Sequence, residues 1–460
     1  MGKPTPSMRR GSKRTGVKRA SDEISTEDYA TFWNARPILT EIRTYAQAYR
    51  VSPWGTLGAV LARAISIAPP PVVLPAGFGG SEASLNLFIA LVGRSGAGKG
   101  GAENVANSFL QIEPEPDTAM IGSGEGVSKL FAYKRNSKEF GPEQINIRNT
   151  VLFSVPEIDA LTALGDRTGA TLVQQLRMAW SGERLGFAYA DPNKSVRVER
   201  HRYRMSLVLG VQPLRAGPLL DDASGGTPQR FIWLPTWDEH CPAVAPPPPA
   251  PRRLPSWPAR NGKVIEDAVA LLDEKVIDGE LEPLTIPAVA RDFLDEHRRK
   301  ALASEGDEDD AFTAHAPLSR LKIAAALMVL DGRRNSISTS DWRLAGIIEK
   351  VSNLTRARIE EKLREEEQRD NVRRGANRGV QNVKARDVED AAGMDRVAKN
   401  VCDKLAGYGE LSVRELTKKI NPRDRDRLDE VFDTLLEAGT IQTRIKRVPG
   451  GKSRLIKLTE

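Results

Sequence analysis

Cysteine is almost missing from this chain. Two residues, Cys241 and Cys402, among 460 leave no disulfide framework and no cysteine-based metal site. Histidine is scarce too: His201, His240, His297 and His315 are scattered, and none sits at a metal-ligand spacing. No apolar run approaches the ~18 residues of a membrane span. The basic start of the chain lacks the apolar stretch of a secretory signal. The expectation is a soluble, cytoplasmic protein without membrane contact. Acid is absent from residues 1–20, which hold seven Lys and Arg; the formal net charge of the whole chain is +7. The remainder is formally neutral, so the basicity belongs to a tail. A basic tail suits a polyanion such as DNA, or is simply solvated.

A chain of 460 residues exceeds one domain at roughly 100–200 residues each. Residues 1–27, rich in Lys, Arg, Ser and Gly, read as a disordered tail. Residues 28–84 form a helical segment, with apolar positions at helical spacing through Phe32, Trp33, Ile42, Leu57, Leu61 and Ile65. Residues 85–240 alternate helices with near-continuous apolar strands, which predicts a mostly parallel α/β sheet covered on both faces. Residues 241–262 are Pro-rich and read as a stiff spacer, or as a peptide-recognition ligand. Residues 263–380 turn helical, with helices over 264–272, 288–301 and 318–330, a long helix starting at Ser338-x-x-Asp341, and its charged later part, 356–374, as a solvated helix or a tether. Residues 385–460 predict three helices and a two-stranded hairpin, the plan of a winged helix-turn-helix.

The sharpest motif is Gly93-Arg94-Ser95-Gly96-Ala97-Gly98-Lys99-Gly100-Gly101. It fits G-x-x-x-x-G-K between an expected strand, 86–92, and an expected helix. Glycines let successive backbone N–H groups wrap a phosphate, the helix N-terminus favours the anion, and Lys99 reaches the outer phosphates. The Ser or Thr that usually follows the lysine and meets Mg²⁺ is Gly100 here. Ser95 or a water is then left to substitute.

A second signal is Val151–Asp159, a hydrophobic strand ending in acids. Carboxylates at a strand's C-terminal end lie beside the phosphate site of a parallel sheet. Glu157 is the candidate to orient or activate water, and Asp159 the candidate to help Glu157 hold Mg²⁺. The alternative is a solvated acidic turn. Gln212 follows the strand 205–211, where a polar group can sense the outermost phosphate. Arg230 opens the strand Phe231–Leu234. It either stabilises transition-state charge, often across a subunit boundary, or pairs with Asp221 or Asp222.

The hairpin carries Arg444, Lys446, Arg447, Lys452 and Arg454, and the preceding helices add Lys418 and Lys419. Positive charge with no acid over 440–457 suits phosphate contact; a protein-docking role is the alternative.

Taken together, SPWGTLGAVLAR (52–63), LVGRSGAGKG (91–100), GSGEGV (122–127), VLFSVPEID (151–159), LRMAWSGE (176–183), LVLGVQP (207–213) and GGTPQRF (225–231) resemble a known pattern. They are similar to the RecA-like P-loop ATPase domain of phage, plasmid and integrated-element replication proteins, often found with primases. The block 315–348 resembles that family's region after the ATPase core. The resemblance implies an α/β RecA-like core using ATP and Mg²⁺, forming a homo-oligomer such as a hexameric ring. It also implies DNA and a primase or other replication partner, and helicase action. Pro156 stands where the common acidic pair has Asp. With Gly100, it favours a second reading: an initiator or helicase loader that uses nucleotide as a switch with little hydrolysis. A transcriptional regulator with a vestigial loop is a third.

Overall fold

The computed structural model describes residues 24–78, 80–137, 141–158, 172–187, 195–221, 225–257, 281–303, 315–448 and 451–459. The chain divides into two compact units, Met1–Glu365 and Glu366–Glu460.

The first unit is built on five strands, all paired in parallel. Across the sheet they run Phe231–Pro235, Leu87–Val92, Arg204–Val211, Thr150–Val155, Thr118–Ala119. Because every pairing is parallel, all five C-terminal ends open on one edge. Val92 sits opposite both Val211 and Pro235, and Val155 opposite Leu209. Strand side chains alternate between faces, and both faces are buried here. Ile89, Leu91, Val208, Ile232 and Leu234 feed one core. Phe88, Ala90, Phe153, Leu207, Leu209, Phe231 and Trp233 feed the other. This is the two-sided burial that continuous apolar strands predict.

The first core is closed by Pro53–Ser66, a helix whose every residue is buried. Proline occupies its first turn, and the Ser52 hydroxyl accepts from the Gly55 N–H at 3.3 Å. Gly58 lets this helix lie flat on the sheet, since a Cβ there would stand 2.7 Å from Leu234 and 2.8 Å from Ile89. Ala316–Leu330 is apolar nearly all round and mostly buried. The second core takes residues 172–181, which are helical and include Leu172, Leu176, Ala179 and Trp180.

Several elements differ from the sequence expectation. Val72–Phe78 pairs with Ser81–Ser84 and Glu282–Pro283 in a separate three-stranded sheet. These strands are too short, or too rich in Pro and Gly, to show a period. The Pro-rich segment is more than a spacer: Arg252–Leu254 pairs in parallel with Leu110–Ile112. Within 85–240, a short helix Gly124–Lys129 is followed not by a parallel strand but by a hairpin, Ala132–Ser137 paired antiparallel with Gly141–Asn146. The helix expected over 264–272 lies outside the described residues. A single helix, Thr339–Tyr408, occupies the tether and the first helix expected beyond it.

The second unit holds the end of that helix, then Leu411–Ser412, Val413–Lys419, a 3-10 turn Pro422–Arg427, Leu428–Glu437, and the hairpin Ile441–Val448 and Gly451–Leu458. Ser412 and Glu415 form a reciprocal capping box at the start of Val413–Lys419. Val397, Val401, Leu416, Val431, Phe432, Ile441 and Ile456 make its small core. Among the described residues, no helix is long and apolar enough to cross a membrane.

Candidate functional site

The C-terminal edge of the parallel sheet gathers most of the residues that the motifs single out. The loop Gly93–Gly98 leaves the strand Leu87–Val92 and enters the helix Lys99–Phe109. Gly96 and Gly98 have φ of +74° and +80°, a left-handed conformation that glycine adopts without strain. The loop's base is tied from both sides. Gly93 N–H donates to Val211 O at 3.0 Å, and Thr236 N–H donates to Val92 O at 2.8 Å. The Thr236 hydroxyl donates to the same carbonyl at 3.0 Å. Arg94, Ser95, Gly96 and Gly100 are exposed, and Ala97, Gly98 and Gly101 half-buried.

Lys99 is buried, and its Nζ donates to Gly93 O at 3.1 Å and Arg94 O at 3.2 Å. Burial lowers its pKa, partly offset by the nearby Glu157 carboxylate. An ammonium held by loop carbonyls is ready to exchange them for phosphate oxygens, with a net gain in charge pairing.

Glu157 reaches this edge through a close approach. The chain turns at Pro156 and passes over Gly210, where a Cβ would lie 1.9 Å from Pro156 O and 3.3 Å from Lys99 Cε. Ile158 N–H donates to Gly210 O at 2.9 Å, fixing the turn. Glu157 then accepts from Gln212 Nε2 at 3.0 Å. The structure thus brings Lys99, Glu157 and Gln212 together from three neighbouring strand ends. Asp159 lies outside the described residues, and among those described no cluster of three or more His, Cys, Asp or Glu side chains forms a metal site. Mg²⁺ commonly takes one or two carboxylates and completes its shell with phosphates and water. Glu157 fits that requirement, while Gly100 adds no ligand.

A residue that sequence reasoning missed is Glu103. It lies one turn beyond Lys99 and accepts from Ser154 Oγ at 2.6 Å, and burial raises its pKa. The available signal was its i, i+4 spacing from Lys99 on a helix that enters the site.

Arg230 stands elsewhere. It precedes its strand, so it lies at the N-terminal edge, roughly 15 Å of strand away from the loop. Its Nη1 donates to Gly225 O at 3.1 Å and Gly226 O at 2.6 Å, and its guanidinium lies 5.4 Å from the Trp180 ring centre. Within one chain it does not meet Lys99 or Glu157.

That edge holds other buried cations. The Arg204 guanidinium donates to Ala68 O at 3.0 Å, to Pro69 O and Val72 O at 2.8 Å, and to Ser84 Oγ at 3.0 Å. Burial pulls its pKa down to about 9. Lys322 donates to Asn86 O at 3.0 Å and also to Trp180 O, its Nζ 3.6 Å from the Trp180 ring centre. His315 and His201 are each pushed down to about 4, first by burial and then by neighbouring cations, Arg230 first for His315 and Arg200 first for His201.

In the second unit, Lys418, Lys419, Lys446, Arg447, Lys452 and Arg454 are exposed. Arg444 is bound to Glu410, its Nε 2.7 Å from Oε1, and Lys419 Nζ sits 3.8 Å from the Tyr408 ring centre. Cross-strand register sorts the hairpin charges. Arg444, Lys446 and Lys457 share one face; Arg447, Lys452 and Arg454 share the other, with the exposed Ile445. The hairpin is positive on both sides. By contrast, the helix Leu428–Glu437 turns Asp429, Glu430, Asp433 and Glu437 outward.

No family model matches this chain, and no curated protein does.

Proposed function

We propose that this chain is a nucleoside triphosphatase acting on DNA, a helicase-like motor of a phage or mobile-element replication apparatus that works as a homo-oligomer. The observation that carries the reading is the convergence of Lys99, Glu157 and Gln212 at one edge of a parallel sheet. In this reading ATP lies on Gly93–Gly101, with its phosphates against the loop N–H groups. Lys99 leaves the Gly93 and Arg94 carbonyls for the outer phosphates. Glu157, oriented by Gln212, aligns the attacking water and accepts its proton. Mg²⁺, when bound, neutralises phosphate charge, held by Glu157 and the phosphates themselves. Arg230 serves a neighbouring copy's site, since its edge faces away from its own loop. The basic hairpin supplies salt-sensitive contact to the DNA backbone. The acidic helix Leu428–Glu437 is repelled by phosphate, so the hairpin leads.

A second reading is a nucleotide-switched initiator or loader with little turnover, favoured by Gly100 and Pro156. One experiment separates the two. ATP turnover by the full chain with Mg²⁺ is measured with and without single-stranded DNA, beside Lys99→Ala and Glu157→Gln. The motor requires turnover that rises with DNA and collapses in both variants. Tight ATP binding without turnover would replace the motor with the switch.

A further inference from the structure

Beside the glycine-rich loop lies a cavity of about 600 Å³, lined by Arg94, Trp237, Arg358, Glu361 and Lys362 among others. It extends from Thr236 and Trp237 across the base of the loop to Pro213, the residue after Gln212. Trp237 follows the strand Phe231–Pro235, which flanks Leu87–Val92 on one side, while the strands leading to Gln212 and Glu157 flank it on the other. Its outer wall is one helical face: Arg358, Glu361, Lys362 and Glu365 of Thr339–Tyr408 recur at the spacing that brings helix side chains into line.

We infer that this cavity is the nucleoside pocket, taking the base and ribose of the triphosphate whose phosphates lie on the loop. This rests on the nucleotide reading above and extends it to the base. Size agrees, since pockets for small ligands run ~300–1,000 Å³. The chemistry agrees as well. The Trp237 indole offers a flat apolar surface, steadied by Glu239, which accepts from Trp237 Nε1 at 3.3 Å and from Arg358 Nη1 at 2.9 Å. The Arg358 guanidinium stands 5.7 Å from the indole centre. A base seats on this aromatic–guanidinium wall by stacking. Glu361 and Glu365 offer acceptors for ribose hydroxyls, and Arg94 and Lys362 guard the passage toward the phosphates. The phosphates then span the loop, with the outermost at Lys99 and Glu157 and the nucleoside at Trp237. This direction places the helix Thr339–Tyr408 against the bound nucleotide. It assigns Trp237 and Arg358 as specificity residues.

The test measures affinity for ATP and for inorganic tripolyphosphate, both with Mg²⁺, in the full chain. Variants are Trp237→Ala, Trp237→Phe, Arg358→Ala and Lys99→Ala, each checked for an unchanged thermal transition. The wild type should bind ATP about tenfold or more tighter than tripolyphosphate, the worth of one stacked base. Trp237→Ala should bring ATP down to the tripolyphosphate level and leave tripolyphosphate unchanged. Trp237→Phe should restore most of the difference. Lys99→Ala should weaken both ligands. If Trp237→Ala and Arg358→Ala bind ATP as the wild type does while Lys99→Ala fails, the base lies elsewhere and only this inference falls. If the wild type binds neither ligand, the nucleotide reading itself falls with it.

Discussion

The two edges of one parallel sheet handle buried positive charge in opposite ways. At the C-terminal edge a single ammonium, Lys99, rests on two carbonyls of a glycine-rich loop. At the N-terminal edge Arg204 and Lys322 are wholly buried and spread over carbonyls from distant segments. The first arrangement is exchangeable, because a phosphate offers Lys99 better partners than loop carbonyls do. The second is structural, because each donor ties together backbone carbonyls from separate segments of the chain. Burial of charge alone therefore does not mark the site. What sets Lys99 apart is burial on the carbonyls of one short loop beside a carboxylate, Glu157.

Substitution at Arg204 should break this contrast most sharply. Arg204→Ala should cost roughly 3–5 kcal/mol, as loss of a buried charged partner does, seen as a lower denaturant midpoint for the first unit. Lys99→Ala should shift that midpoint by less than about 1 kcal/mol, yet abolish thermal stabilisation by ATP. A comparable loss of stability in both variants would erase the distinction between the edges.

Protonation probes the same contrast. Burial depresses His201 and His315 in the folded chain to about 4, against an ordinary histidine value of 6.5. The unfolded chain then binds more protons through this window. Stability is full above about pH 6.5 and falls as the pH drops towards 4, by up to about 3 kcal/mol per histidine before solvent screening. Thermal melts across pH 4–7 should show the fall, and His201→Asn with His315→Gln should flatten it. An unchanged slope in the double variant would place the acid sensitivity elsewhere.

Gly100 offers a smaller, constructive change at the exchangeable edge. Nothing lies within 4 Å of a Cβ built there, so Gly100→Ser should fold normally and supply the missing hydroxyl. On the motor reading, Mg²⁺-dependent turnover should rise about tenfold, about 1.4 kcal/mol of barrier. A variant that binds ATP equally well without faster turnover would show that the hydroxyl is not limiting. The smallest effects belong to the second unit. Arg447→Gln or Lys452→Gln should each lower the salt-dependence slope of DNA binding by about 1. Asp433→Asn on the acidic helix should leave that slope nearly unchanged. Loss of binding in Asp433→Asn alone would move the interface from the hairpin to the helix.

Much of this architecture is legible in the residues. The strands over 87–92, 150–155 and 204–211 show because burial on both faces forces unbroken apolar runs. The loop shows because its glycines have a fixed spacing around Lys99. The distance of Arg230 from the loop was legible in principle, since a residue that opens a parallel strand stands opposite one that follows it. It was obscured because the pairing partner of Phe231–Pro235 cannot be read from one chain. The Glu157–Gln212 contact depends on Gly210, whose missing Cβ admits Pro156, and no local period reports such an approach. The pairing of Arg252–Leu254 was hidden by prolines that make the segment look unattached. The continuity of Thr339–Tyr408 is not legible because its charged middle has no apolar face, so helix and tether look alike there.

The position of Leu87–Val92 in the sheet also bears on how the chain is made. Its two neighbours are Arg204–Val211 and Phe231–Pro235, the last strands of the sheet to leave the ribosome. For more than a hundred residues of synthesis this strand has neither permanent partner, and its edges stand open to mispairing or to a chaperone. The loop that it carries therefore acquires its shape late. A truncated product ending before residue 204 would retain the whole glycine-rich sequence and still lack the frame that holds it.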